Sequence, residues 1–419
     1  MPISPQKINE PSAKVRYIHL NIPTGHRILA VSDIHGHPEL LARLLERAGF
    51  SENDILVIVG DIIEKGPDSL GALRLVMRLC VRGNVFVLSG NVDASRSSMI
   101  YSLSPETMDE AFQYLAGIRQ WSFSIIDEMT RELGLTCETP EELLASKDAV
   151  IRHFKLELDF IASLPTVLET ENHVFVHGGL RHSDISSNLC LSADELLKYD
   201  DFFIHAPAFS KYVVTGHYPV TLYSGRVADC APKIDTRRKL ISIDGGCGIK
   251  EFGQLNLLII PRPDAGADEI TFISEDDLPT VTALERQEGS PDPLNIRWTD
   301  NDITTLERYD GFRKIKHIST ERECLIPDSY VYDDCHAMDY PYNFLDISPG
   351  DILSLVDETP LGYIVKKGSV VGIYKDRINP APRQDEKFER QVFQTAFCGF
   401  TPADLQKAKR EAETRTSDA

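Results

Sequence analysis

The stretch Arg27-Ile28-Leu29-Ala30-Val31-Ser32-Asp33-Ile34-His35-Gly36-His37 decides the fold. Its apolar half reads as a buried strand, and it breaks at once into Asp-x-His-Gly, ligand-type side chains on a glycine turn. The same pattern recurs along the chain. Ile55 to Val59 breaks into Gly60-Asp61, and Val85 to Leu88 into Gly90-Asn91-Val92-Asp93. Val174 to Val176 breaks into His177-Gly178-Gly179, Tyr212 to Val214 into Gly216-His217, and Leu240 to Ile243 into Asp244-Gly245-Gly246. Polar groups at the carboxyl ends of buried strands line the crevice where open α/β sheets place their sites. Between the first motifs, Leu40, Leu41, Leu44, Leu45 and Ala48, then Leu70, Leu73, Leu75, Val76 and Leu79, recur at helical spacing. The order β-α-β-α-β predicts an α/β sandwich, with a further strand over Val15 to Leu20.

The ligand types point to a metal centre. Carboxylate, amide and imidazole, offered by Asp33, His35, Asp61, Asn91, His177 and His217, suit Mn, Fe, Zn or Mg. Two cations about 3.5–4 Å apart can act on both oxygens of an in-line displacement at phosphorus. A hydroxide bridging them is a nucleophile near neutral pH. Asp61, directly after the second strand, is the candidate bridging carboxylate. Taken singly, each residue has a plainer reading. Asp or Asn after a strand is often a turn residue or helix cap, and His177 or His217 alone reads as a core histidine. It is the ordered set that points to metal. His153, His173, His205, His317 and His336 have no motif around them and read as structural or solvated. Cys247, in a glycine-rich turn, reads as a packing residue.

The set Asp33-x-His35-Gly36, Gly60-Asp61-Ile62-Ile63-Glu64-Lys65-Gly66, Gly90-Asn91-Val92-Asp93, His177-Gly178-Gly179 and Gly216-His217 resembles the calcineurin-like metallophosphoesterases. It is most similar to their phosphoprotein phosphatase branch, which includes bacterial diadenosine-tetraphosphate hydrolases and protein phosphatases. His-Gly-Gly-Leu at 177–180 and Asp-Gly-Gly-Cys at 244–247 favour that branch. The resemblance spans roughly residues 25–262. It implies a four-layer αββα sandwich and two divalent metal ions, Mn foremost. Asp33, His35 and Asp61 would hold one, and Asp61, Asn91, His177 and His217 the other. The implied substrate is a phosphorylated protein or a nucleotide.

Two positions depart from the family pattern. Gly-Asp-x-x-Asp-Arg-Gly is here Glu64-Lys65, and the His of Gly-Asn-His-Asp/Glu is Val92. In the family that His, oriented by the Asp, is thought to protonate the leaving oxygen, while the Arg grips phosphate. General acid help is typically worth about 10²–10⁴-fold. Its loss matters most for alkoxide leaving groups and least for aryl phosphates and phosphoanhydrides. Lys65 still offers phosphate a point charge, without the bidentate fork of Arg. Asp93 is expected to orient the third-motif turn. The expectation is a phosphoesterase that prefers good leaving groups, or takes a proton from His37, His182 or Glu64. The alternatives are a metal-binding, weakly catalytic relative with a regulatory role, and a structural protein. The last fits poorly with so many buried ligands, since unpaired buried charge is destabilising.

Composition agrees with a soluble enzyme. The net charge of −20 opposes non-specific binding to nucleic acid or anionic membrane. The short basic run Arg237-Arg238-Lys239 reads as a solvated strand edge. None of the eight cysteines forms a C-x-x-C pair, and reduced thiols in a cytoplasm are the simpler reading. No apolar stretch reaches the ~18 residues of a membrane span.

The 419 residues exceed the size at which single cores usually split. The expected organisation is a metallophosphoesterase domain over 1–283, a linker over 284–300, and a small domain over 301–419 with a helical C-terminal tail. Residues 94–165 read as a helical insert, with Met108, Phe112, Leu115 and Ile118 on one face, that either caps the site or serves plain core packing. Strand and turn signals over 344–356 and 362–374 resemble an SH3-like β-barrel. Tyr330, Tyr332, Tyr340, Tyr342 and Phe344 are dense enough to line a groove for a peptide partner, and read equally as ordinary barrel core and surface.

Overall fold

The computed structural model describes residues 14–120 and 122–380. The expected loose start over 1–13 and the helices expected over 385–412 lie outside the described residues.

The apolar runs form strands covered on both faces. A first sheet has the order β11-β10-β2-β3-β4, where β2 is Arg27–Val31, β3 Asp54–Val59, β4 Val85–Leu88, β10 Leu255–Ile260 and β11 Thr271–Glu275. Within it β2, β3 and β4 are parallel, with Val31 beside Ile58 and Val59 beside Leu88. The turns that follow them therefore emerge side by side. A second sheet has the order β1-β5-β6-β7-β9-β8. Here β1 is Tyr17–His19, shorter than the expected Val15 to Leu20, β5 Val167–Glu169, β6 His173–Val176, β7 Tyr212–Thr215, β8 Lys233–Asp235 and β9 Leu240–Ser242. In it β6, β7 and β9 are parallel.

Side-chain alternation stacks the layers. Ile28, Ala30, Val57 and Val59 meet Phe175, Val214 and Ile241 between the two sheets. Leu29, Val31, Leu56 and Ile58 face outward onto α1 (Pro38–Arg47) and α2 (Ser69–Cys80). On the far side Val174, Val176 and Val213 pack under Leu196 and Phe202, from the short helices Ala193–Leu197 and Phe202–His205. The order is helix, sheet, sheet, helix, as expected.

The insert is helical: α3 (Asn91–Ser102), α4 (Met108–Ile118), α5 (Ile125–Glu132), α6 (Pro140–His153) and α7 (Lys155–Ser163). It begins three residues earlier than read, because the third motif itself forms the first turn of α3. Leu115, Met129, Leu143, Val150 and Leu158 join the core beneath the first sheet. One tie to α2 is polar. Asp68 caps that helix by accepting from Gly71 N, while Glu128 of α5 accepts from Ser69 N at 2.9 Å and Leu70 N at 2.8 Å. Two of the orphan N–H groups of α2 are thus satisfied from the insert.

The C-terminal strands form no closed barrel among the described residues. An antiparallel sheet has the order Val370–Tyr374, Gly362–Lys367, Ile352–Thr359, Thr280–Ala283, Ile378–Pro380. The runs read as strands are strands, but the sheet stays open. Its edge strand Val370–Tyr374 makes single bridges to Phe344 and Asp229 instead of meeting the opposite edge. A separate three-stranded sheet comprises Ile303–Arg308, Phe312–His317 and Glu323–Pro327. Leu294–Ile296 pairs with Tyr340–Tyr342. Of the five clustered aromatics, Tyr330 and Tyr340 are buried in the core, and Tyr332 is 75% exposed. Lys366, fully buried, pairs with Asp276 at 2.6 Å and donates to the carbonyl of Phe252.

Candidate metal centre

The turns after β2 and β3 continue the ladder beyond the strands. Asp33 N donates to Gly60 O, His35 N to Asp61 O and Gly36 N to Ile62 O. This tight path has a conformational cost. Among the described residues nine non-glycine residues have positive φ, and six are Asp33, His35, Asp61, Glu64, Lys65 and His217. Strain concentrated in this way marks functional loops. Two glycines are required by close approach. A Cβ on Gly90 would lie 2.0 Å from Asp61 Oδ1, and one on Gly216 would lie 2.3 Å from Asp33 Oδ2.

Asp33, His35 and Asp61 form a buried group whose ligand atoms lie within 4.8 Å of one another. His35 Nε2 is 3.7 Å from both Asp33 Oδ1 and Asp61 Oδ2. Its Nδ1 lies 3.1 Å from the carbonyl of Ile63, which assigns the proton to Nδ1 and leaves the Nε2 lone pair facing the carboxylates. On the other side of Asp61, His177 Nε2 is 3.5 Å from Oδ1, and its Nδ1 meets the carbonyl of Val59 at 2.8 Å. Asn91 Oδ1 lies 3.0 Å from His177 Nε2 and 2.8 Å from His217 Nδ1. The remaining nitrogen of His217 is held by Asp200 at 2.8 Å. The six ligand-type residues therefore converge in two sets, with the Asp61 carboxylate between them.

The charges fit cations. Asp33 Oδ1 is buried without a hydrogen-bond partner, an acceptor that a cation would satisfy. Burial and the Lys65 ammonium lower His35 to about 3, so its imidazole is neutral. Burial opposes protonation of His177, but the Asp61 and Asp33 carboxylates outweigh it and raise His177 to about 10. A cation held by the same carboxylates would take the place of that proton. Burial also works against ionisation of Asp61, yet the imidazoles of His177 and His35 and the Lys65 ammonium hold it low.

The residues read as catalytic take different places. Lys65 Nζ is 3.0 Å from His35 Nε2, at the mouth of the first set. Lys65 also lines an open cleft of about 410 Å³ with His37, Gly66, Pro67 and residues Arg119, Gln120, Ser122 and Phe123 of the insert. Asp93 is buried and accepts from Ile62 N and Gly90 N, both at 3.0 Å, tying the second and third motif turns together. Burial, then the Asp61 charge, raises it to about 7. Glu64 is held in a buried ion pair with Arg96 Nε at 2.6 Å. Arg96 donates onward to the Tyr114 hydroxyl at 2.7 Å. The Val92 side chain packs in the apolar core while its N–H donates to Asp61 Oδ1. Cys247 is buried, with its thiol pushed well up by burial, and packs beside His37 as expected. Arg238 is spent on Asp235 and the carbonyls of Phe203, Ile204 and Ala206.

Sequence reasoning missed Arg96 and Asp200. Arg96 lies one turn after Val92 on α3, a spacing that would have flagged it once the helix start was placed at Asn91. Asp200 lies in a loop with no periodic signal. Asp244, noted as a strand end but given no role, is fully buried and held well above the usual carboxylate range by burial and by Asp33.

Comparison with known proteins places the chain in a family. Over 92 residues the chain is 34% identical to serine/threonine-protein phosphatase 1 of Salmonella typhimurium, covering 21% of this chain and 43% of that protein. Over 62 residues it is 44% identical to the symmetrical bis(5'-nucleosyl)-tetraphosphatase of Wigglesworthia glossinidia brevipalpis, covering 15% of this chain and 22% of that protein. The chain thus spans less than half the length of these curated relatives. A solved protein serine/threonine phosphatase of Saccharomyces cerevisiae is 14% identical, with a TM-score of 0.37, covering 63% of this chain and 86% of that one. The sequence profile of the calcineurin-like phosphoesterases matches residues 26–237, just over half of the chain, and the chain belongs to that family.

Proposed function

We propose that the protein is a metal-dependent phosphoesterase that hydrolyses a phosphomonoester of a protein or a phosphoanhydride of a nucleotide. The observation that carries this reading is the convergence of Asp33, His35, Asp61, Asn91, His177 and His217 on the two sides of one buried carboxylate. In this reading those six residues would hold two divalent cations, Mn²⁺ foremost, and Asp61 would serve both sets. Such cations supply Lewis acidity toward phosphoryl oxygens and acidify water. The protein's own contribution is positional. His35 and His177 are fixed by the carbonyls of Ile63 and Val59, and His217 by Asp200. Lys65 offers its ammonium to substrate phosphate at the cleft mouth, and Asp93 holds the second and third turns in register. The wall formed by Arg119, Gln120, Ser122 and Phe123 supports the expectation that the insert limits substrate size.

A second reading has its own support. Val92 brings no proton donor, and Glu64 is engaged by Arg96, so the corner that would protonate a leaving group is apolar or already paired. The protein would then bind metal, turn over slowly, and act chiefly as a binding or regulatory module. In either reading a cytoplasmic setting is proposed. No helix among the described residues is long and apolar enough to cross a membrane.

Turnover of an aryl phosphate by metal-free protein titrated with Mn²⁺, beside Asp61→Asn, tests the choice. Metal-dependent turnover that falls by about 10³-fold or more in the variant supports the hydrolase, on the scale of losing a central electrostatic group. Calorimetric Mn²⁺ binding without turnover supports the regulatory reading.

A further inference from the structure

Residues outside the family match pack on two loops that flank the metal centre. After Leu294–Ile296 the chain reverses at Trp298-Thr299, closed by Asp300 N donating to Arg297 O at 2.7 Å and Arg297 N to Asp300 O at 3.3 Å. This turn is clamped from two sides. On one, the Asn295 amide donates to the carbonyls of Thr221 and Ser224 at 3.0 and 2.8 Å, fixing the strand along the loop that follows His217. Thr299 and Asp201 face the hydroxyl of Tyr218, the residue after His217. On the other side, Lys250 Nζ sits 3.3 Å from the centroid of the Trp298 ring and pairs with Asp339. Asp339 also accepts from Trp298 N at 2.8 Å. Lys250 belongs to the loop whose Gly248 packs against the site, where a Cβ would lie 3.0 Å from His35 Cβ and 3.4 Å from Lys65 Cβ. The turn therefore joins the loop carrying His217 to the loop resting on His35.

The indole is 45% exposed. A buried ammonium on one face makes a strong cation–π contact, because the cation is desolvated. The exposed part of the ring can take an aromatic partner in offset or edge-on geometry. We propose that Trp298 is a stacking platform at the catalytic cleft for an aromatic ring attached to the substrate phosphate. This rests on the phosphoesterase reading above. The ring could belong to a tyrosine side chain or to a nucleobase, and the common chemistry is the planar π-system. It would also suit the apolar acid corner, since an aryl leaving group departs with little need of a proton.

The chain has two tryptophans, Trp121 and Trp298, so Trp121→Phe leaves Trp298 as the sole emitter. In that variant, loaded with Mn²⁺, phenylphosphonate should quench emission saturably and methylphosphonate should not. Quenching by AMP as well extends the platform to nucleobases, and quenching by phenylphosphonate alone confines it to rings of tyrosine size. In turnover assays Trp298→Ala should raise KM for phenyl phosphate about three- to tenfold with kcat within about twofold, the scale of one aromatic contact. Glycerol phosphate should be unaffected, and Trp298→Phe should keep most of the affinity. No quench at saturating phenylphosphonate, or an equal change for both esters, overturns the proposal. A protein that turned over no phosphate ester would remove the hydrolase reading, while the quench would still decide the ring contact.

Discussion

Two corners of the same pair of loops differ in kind. At one, His35 faces Asp33 and Asp61 across 3.7 Å with an acceptor left over, an arrangement that is costly until a cation arrives. At the other, a few residues on, Glu64 and Arg96 have closed into a buried ion pair and Val92 fills the adjoining space with an apolar side chain. The first corner is built to receive something and the second is complete in itself. The difference teaches that ligand geometry and proton-donor geometry are separable within one motif set. A chain can keep the strained turns that gather metal ligands while its acid corner serves packing.

The comparison breaks most visibly at Arg96. Removing it by Arg96→Ala leaves Glu64 buried without its partner, and urea unfolding should show a loss of about 3–5 kcal/mol. Mn²⁺ affinity should stay within about threefold, because the pair touches no ligand. Arg96→Met with Glu64→Gln should recover most of the stability. A large loss of metal affinity in Arg96→Ala would show that the two corners are one unit.

Two buried histidines, His173 opening β6 and His177 just past its end, sharpen the contrast by pH. His177 meets carboxylates, whereas His173 lies between the rings of Phe175 and Tyr212 with both nitrogens unpaired. Burial lowers His173 from 6.5 to about 4. The fold favours its neutral form, so the stability it carries is full above pH 6.5. That stability is lost as pH falls from 6.5 toward 4, by up to about 3 kcal/mol. His173→Phe should flatten that segment of the stability–pH curve relative to the unsubstituted chain. Parallel curves would show that the ring is not held neutral.

The smallest effect is the most informative about chemistry. Glu64→Asp with Val92→His should raise turnover of an alkyl phosphate about tenfold, below the full range of general acid help. Aryl phosphate turnover should stay within about twofold. An equal gain on both esters would mean that the second corner limits something other than leaving-group departure.

The sequence was legible where signals are local. Each parallel strand, buried on both faces, appears as an apolar run ending at a glycine, so all six ligand-type side chains could be picked out in order. The strands over Ile352–Thr359, Gly362–Lys367 and Val370–Tyr374 were visible for the same reason. Closure was not legible, because whether a sheet's edges meet depends on partners far away in sequence. Thr280–Ala283 lies between Ile352–Thr359 and Ile378–Pro380, a pairing with no local trace. The Glu64–Arg96 pair spans 32 positions and Asp200–His217 joins a loop to a turn, so neither leaves a periodic mark.

Glu128 gives the insert a further meaning. By lending both carboxylate oxygens to Ser69 N and Leu70 N, it completes the start of the helix that follows the Lys65 turn. The insert is therefore not a detachable module. Cutting it out would uncap α2 and loosen the loop beside it, so a trimmed chain would report on damage to that loop as much as on substrate size. Swapping the wall residues Arg119, Gln120, Ser122 and Phe123 between homologous chains, with Glu128 left in place, is the surgery this architecture permits.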